Sequence, residues 1–245
     1  MIQFKQYPSI GRASDEAWME RVWGAVEPET LFAVQEKVDG ANVSIITDGE
    51  IVRMARRTAL LEPGERFFGW EAVLNRYEWP VCHIFNRLSL KYPEMTAVAI
   101  YGELFGGAYP HPDICNAPGR KPIQKGVWYC PWVDFYAFDI YVFTGEGSGF
   151  FLPVIESKIL FSAAGLQYAW NRFVGTLDDC LAYPHVFPTA IPRELGLPPI
   201  DYNLCEGIVI KPLDPVILPD GSRVAIKVKR DSFATLGMTM ELRSE

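Results

Sequence analysis

The sequence lacks a paired-cysteine framework. Its five cysteines, Cys82, Cys115, Cys130, Cys180 and Cys205, are odd in number and scattered, with no CxxC spacing. That excludes a disulfide-stapled scaffold or a zinc ribbon as the organising device and points to reduced thiols in a cytoplasmic setting. Long apolar runs are missing too. No stretch approaches a membrane span, and Met1-Ile2-Gln3-Phe4-Lys5 has no apolar segment to serve as a secretory signal. Positive charge is not in excess: 23 Lys and Arg against 30 Asp and Glu give a formal charge of −7. Broad, nonspecific coating of nucleic acid is therefore excluded, whereas a local basic groove is not. Repeats and low-complexity tracts are absent as well.

What is present is an ordinary globular mix, 49% hydrophobic and 22% charged, over 245 residues. That length suits one large domain or two small ones. Ser14 to Met19 reads as a short capped helix. Val34 to Ile46 reads as a strand, Thr47-Asp48-Gly49-Glu50 as a turn, and Ile51 to Arg57 as the return strand of a hairpin. Phe67 to Leu90 has helical spacing broken near Pro80, and Thr96 to Leu104 returns to a strand pattern. Gly106 to Gly126 reads as a long surface loop. The aromatic run Trp132 to Phe143 reads as a central strand, Glu156 to Trp170 as a helix, and Gly175 to Tyr183 as a shorter one. A proline-rich link, Ile191 to Pro199, precedes two final strands. Strands outnumber helices without regular interleaving, so the fold class is α+β with largely antiparallel sheets flanked by helices.

Several strands carry charge. Lys37-Val38-Asp39-Gly40, Glu206-Gly207-Ile208-Val209-Ile210-Lys211 and Ala225-Ile226-Lys227-Val228-Lys229 place ionisable groups within apolar, β-branched runs. Alternation puts Lys37 and Asp39 on one face. It likewise sets Lys227 and Lys229 opposite Val224, Ile226 and Val228. Such residues either line a wet, charged cavity or sit on an exposed sheet face. The first arrangement is a pocket for a polyanion with a lysine placed to attack it.

The motif series resembles that of the covalent nucleotidyltransferases. Lys37-Val38-Asp39-Gly40 matches their KxDG nucleotidyl-acceptor motif. In order come Arg56-Arg57-Thr58, Tyr101-Gly102-Glu103-Leu104-Phe105-Gly106, Phe135-Tyr136-Ala137-Phe138-Asp139 and the two charged strands, together covering about residues 34–230. Glu36 to Asn42 and the Tyr-Gly-Glu-Leu-Phe-Gly segment are similar to the RNA ligase 2-like branch, found in phages and among RNA-editing ligases. Asp39 departs from some of those ligases, which carry histidine there.

The resemblance implies a nucleotidyltransferase (ATP-grasp-like) domain, expected to be the single domain of residues 1–245, because the sixteen residues after Lys229 leave no room for the C-terminal OB-fold or helical domain that such enzymes generally append. It implies an ATP-dependent RNA ligase; a DNA ligase, a GTP-dependent capping-type enzyme and a noncatalytic nucleotide- or RNA-binding domain are the alternatives. Lys37 is the implied nucleophile, Lys227 and Lys229 the α-phosphate contacts, and Arg57, chosen over Arg56, a further catalytic cation. Glu36, Asn42, Glu103 and Phe138 complete the nucleotide site, with Glu103 at the ribose and Phe138 stacked on adenine. Glu206 supports Mg²⁺, or Mn²⁺ in its place, as a hard oxygen ligand. Lys211 is a further phosphate contact. The implied partners are RNA with 3′-hydroxyl and 5′-phosphate ends, including a nicked duplex, and an accessory RNA-binding protein, with no membrane. The implied location is cytoplasmic or phage-encoded intracellular, with an organellar role left open.

Overall fold

The run from Val34 to Ile46 does not form one strand. The computed structural model, which describes residues 2–119, 121–145 and 147–230, breaks it at Lys37–Gly40 and sends its halves into different sheets. Lys37 and Asp39 therefore lie on a connection between sheets, not on one face of a strand. The elements are β1 (Gly11–Arg12), α1 (Glu16–Trp23), β2 (Phe32–Glu36), β3 (Ala41–Thr47), β4 (Val52–Arg56), β5 (Ala59–Leu60), α2 (Trp70–Lys91), β6 (Ala97–Gly106), β7 (Val133–Gly145), β8 (Ser148–Phe151), α3 (Val154–Ala164), β9 (Asn171–Gly175), α4 (Leu177–Leu181), α5 (Ile191–Glu194), β10 (Gly207–Pro212) and β11 (Ile226–Lys229). Five strands make one sheet in the order β1-β11-β10-β2-β9, and six make the other in the order β5-β4-β3-β6-β7-β8. Apart from the parallel pair β1 and β11, the strand pairs are antiparallel.

Each sheet is covered on its outer face. Val43, Ile45, Met54, Val98, Ile100, Leu104 and Phe135 of the six-stranded sheet pack against a stripe on α2, Val73, Tyr77, Val81, Ile84 and Leu88, and against Leu160 and Phe161 of α3. At about 1.5–3 kcal/mol per buried large side chain, this stripe outweighs the backbone hydrogen bond lost at Pro80. That is why α2 runs unbroken through Pro80, contrary to the break its sequence suggests. Phe32, Val34, Ile208, Ile210 and Ile226 of the five-stranded sheet pack on Met19 and Val22 of α1 and on Leu177 and Cys180 of α4.

Other boundaries shift for local reasons. α3 stops at Gly165, whose left-handed φ of 72° caps it, well short of Trp170. The link after Ile191 contains the short α5. The loop from Gly106 to Gly126 lies partly inside the protein: Tyr109 and Gln124 are buried, and Gln124 accepts from the Gly106 amide while donating to Val127. The segment after Arg230, on which the expectation of no further C-terminal module bears, lies outside the described residues.

Candidate active site

The inner faces of the two sheets enclose a cavity, and alternation within the strands fills it. In β10, Ile208 and Ile210 enter the core while Val209 and Lys211 line the cavity; in β11, Ile226 and Val228 turn to the core while Lys227 lines it. On β7 a bulge intervenes. Tyr101 pairs with Asp139 but its neighbour Gly102 pairs with Ala137, leaving Phe138 as the extra residue. Ala137 and Ile140 both enter the α2-side core, so Phe138 and Asp139 both leave the opposite face, Phe138 lining the cavity and Asp139 buried behind it against Lys211 and Arg223. Glu36, Lys37, Asn42, Arg57, Glu103, Phe138 and Lys227 all line this cavity.

Lys37 stands one residue beyond β2, and its amide donates to the Gly207 carbonyl at 2.9 Å, extending the ladder to β10 by one rung. Its Nζ donates to Glu206 Oε2 at 2.7 Å, and Lys229 Nζ lies 2.8 Å from Glu206 Oε1. Glu206 thus bridges the nucleophile candidate and a second lysine, just behind the cavity lining. Two glycines make this approach possible. A Cβ at Gly207, whose φ is 149°, would lie 2.0 Å from the Val228 carbonyl, and one at Gly40 would lie 2.3 Å from that of Leu104.

The site is electrostatically crowded. Burial works to lower the pKa of Lys37, but Glu206, Glu103 and Asp39 outweigh it and hold the amine as an ammonium. Glu103 is pushed up to about 7 by burial, despite the nearby Lys37 and a hydrogen bond from Asn42 at 3.4 Å. Asp39 rises to about 6 through burial and then Glu206. Lys227 is lowered by burial, then by Lys37, Lys229 and Arg12.

The remaining expected residues divide. Arg57 lines the cavity and donates to Ser9 Oγ at 3.1 Å, whereas Arg56 is tied to Glu65. Glu36 lines the cavity while accepting from the Thr189 hydroxyl, the Ala190 amide and Arg172. Lys211 differs from the expected phosphate contact: its buried ammonium is committed to Asp139 Oδ1 at 3.0 Å and the Phe138 carbonyl at 2.9 Å. Tyr7, Pro8, Ser9 and Ile10 also line the cavity and were not singled out from sequence, because a short irregular segment has no periodicity.

Among the described residues no three His, Cys, Asp or Glu side chains form a metal-binding cluster. A divalent ion carried in with phosphates needs only one or two protein carboxylates, so the donor set fits such an ion. Glu206, whose oxygens meet Lys37 and Lys229, is the carboxylate beside the nucleophile candidate for such an ion, while Glu103 Oε2, buried and without a hydrogen-bond partner, is an acceptor left for a ligand hydroxyl.

Solved structures share this architecture. Naegleria gruberi RNA ligase in a mutant apo form superposes with a TM-score of 0.59 at 15% identity, covering 96% of this chain and 58% of that one. Another mutant of it, with ATP and Mn, gives 0.58 at 16% identity, covering 96% and 60%. The fold is that of the nucleotidyltransferases. Residues 30–229 match the RNA ligase family model, and the chain belongs to the RNA ligase family. RNA-editing ligase 1, mitochondrial, of Trypanosoma brucei brucei is 33% identical over 231 residues, covering 82% of this chain and 49% of that protein. RNA-editing ligase 2, mitochondrial, is 32% identical over 228 residues, covering 85% and 55%. The chain spans about half the length of these curated relatives. Among the described residues, no helix is long and apolar enough to cross a membrane.

Proposed function

We infer that the protein is an ATP-dependent RNA ligase that joins a 3′-hydroxyl to a 5′-phosphate. The observation that carries this reading is the meeting of Lys37, Glu206, Lys227 and Lys229, from three separated stretches of sequence, at one cavity. Family membership supports the same chemistry.

In the first step Lys37 Nζ gives up its protons to solvent as it bonds to the α-phosphorus of ATP, and the P–O bond to the leaving pyrophosphate breaks. AMP then passes to the RNA 5′-phosphate, breaking the P–N bond and forming a 5′–5′ pyrophosphate linkage. Finally the 3′-hydroxyl, its proton passing to solvent, attacks the 5′-phosphate and breaks the P–O bond of the pyrophosphate linkage, and AMP leaves. Lys227, Lys229 and Arg57 offset the charge building on the phosphoryl oxygens. Phe138 presents a ring to adenine, Glu103 an acceptor to the ribose hydroxyls, and Glu36 and Asn42 hold the nucleotide at the cavity wall. Glu206 would hold Mg²⁺ or Mn²⁺, which supplies Lewis-acid stabilisation of phosphate charge when bound.

The RNA substrate is proposed to include nicked duplexes, with an accessory RNA-binding protein as a further partner. The free thiols support a reducing intracellular compartment. The test is incubation with Mg²⁺ and α-phosphate-labelled ATP: a covalent AMP adduct is expected on the parent protein and none on Lys37→Ala. A folded, unadenylated parent that forms no adduct would sink the reading. Matched RNA and DNA nicks then set the strand preference.

A further inference from the structure

The N-terminal segment, residues 7–12, runs from one sheet to the other along the cavity. Pro8 fixes its own φ and holds Tyr7 extended, and residues 7–10 form neither helix nor strand. At its start, buried Tyr7 donates its hydroxyl to Asp139 Oδ2 at 2.5 Å. Its ring meets Phe138 edge-on, with centroids 5.0 Å apart and planes at 67°. Asp139 is itself fixed by Lys211 of the other sheet at 3.0 Å and by Arg223, just ahead of β11, at 2.9 Å. Burial, then the neighbouring Asp139, pushes the Tyr7 pKa far up, so the hydroxyl remains a donor.

The middle of the segment, Pro8, Ser9 and Ile10, lines the cavity, and Ser9 Oγ accepts from Arg57 at 3.1 Å. Its end is sewn to the five-stranded sheet. Gly11 and Arg12 pair with Ile226 and Lys227, and the Gly11 amide donates to the Ala225 carbonyl at 3.0 Å. Gly11 passes so close under Trp18 that a Cβ there would lie 2.0 Å from the indole nitrogen.

We propose that residues 7–12 are a strap forming one wall of the nucleotide site, and that Tyr7 is a positioning residue which, docked on Asp139, sets the Phe138 ring. The proposal rests on the nucleotide-binding reading of the cavity. It accounts for why one short segment touches the aromatic ring (Tyr7), the cavity arginine (Ser9) and the strand carrying Lys227 (Arg12). The Tyr7 ring also packs in the hydrophobic cluster with Tyr101 and Phe151, but its hydroxyl bond to Asp139, the Ser9–Arg57 bond and the pairing of Arg12 with Lys227 are polar contacts that closing a core does not require. The strap acts through the ring and the guanidinium and does no chemistry.

The test compares Tyr7→Phe with the parent protein in Lys37 labelling by ATP, alongside the melting temperature of each. Loss of one hydrogen bond to a charged group is expected to raise the ATP concentration that half-saturates the labelling rate, its KM, about tenfold, with the saturating rate nearly unchanged. In parallel, amide exchange of Lys37→Ala with and without ATP should show the amides of Ser9 and Ile10 slowing when nucleotide binds. A Tyr7→Phe protein that melts lower but keeps the parent KM, or strap amides indifferent to ATP while those around Lys37 slow, overturns the strap and leaves the nucleotide site standing. A parent protein that neither labels nor binds ATP overturns both.

Discussion

Glu103 holds a carboxyl where burial, Glu206 and Asp39 all disfavour its charge, and its Oε2 has no hydrogen-bond partner. A folded-state pKa of about 7, raised from 4.5, means that the unfolded chain gives up this proton first as pH rises. The group therefore costs nothing below about pH 4 and its full penalty above about pH 7. Glu103→Gln should accordingly stabilise the protein by about 1–3 kcal/mol at pH 8, a gain that fades toward pH 4. Thermal melts of the two proteins across that pH range check it; a pH-independent difference would remove the electrostatic explanation. The same substitution should weaken ATP binding, since the carboxylate's cost is borne for a ligand.

At the scale of elements, the junction of β10 and β11 decides where the ionic groups stand. Gly207 pairs with Lys229 in a backbone conformation open to glycine, and its missing Cβ lets the Val228 carbonyl approach. Gly207→Ala must adopt that conformation and push the partner strand away, costing about 2 kcal/mol or more. Because Glu206 precedes it and Lys229 lies across from it, Lys37 labelling should fall further than stability alone explains. Denaturant unfolding together with labelling well below the melting point separates the two effects. A variant that labels like the parent would show that the exact spacing of the two strands is unimportant to the site.

At the scale of the whole molecule, the two sheets are joined at the cavity by Lys37–Gly40, by the strap and by the Asp139 ion cluster. A nucleotide in this cavity touches both sheets at once, so it should bind the folded chain and not the unfolded one. For Lys37→Ala, which forms no adduct, ATP at about a hundred times its Kd should add about 2.7 kcal/mol. In a chain of this size that corresponds to a rise of roughly 5–11 °C in melting temperature. A melting temperature unmoved by ATP and Mg²⁺ would argue that the cavity is no nucleotide site.

The sequence by itself determined the α+β class, the hairpin at Asp48-Gly49 and the alternation that turns Lys227 and Lys229 away from Ile226 and Val228. These are legible because period-two patterning and turn chemistry are local. It also carried, through the motif resemblance, Glu36, Lys37, Asn42, Arg57, Glu103, Phe138 and Lys227, which meet at the cavity. Only the tertiary structure decided that Lys37 stands on a crossing between sheets, since the apolar character of Val34 to Ile46 is the same whether its strands join one sheet or two. The committed charge of Lys211 depended on Asp139, which a bulge turns away from the α2-side core against simple alternation. The strap was invisible for the same reason: the hydrogen-bond partners of Tyr7, Ser9 and Gly11 named above lie 48 to 214 positions away, brought together by packing.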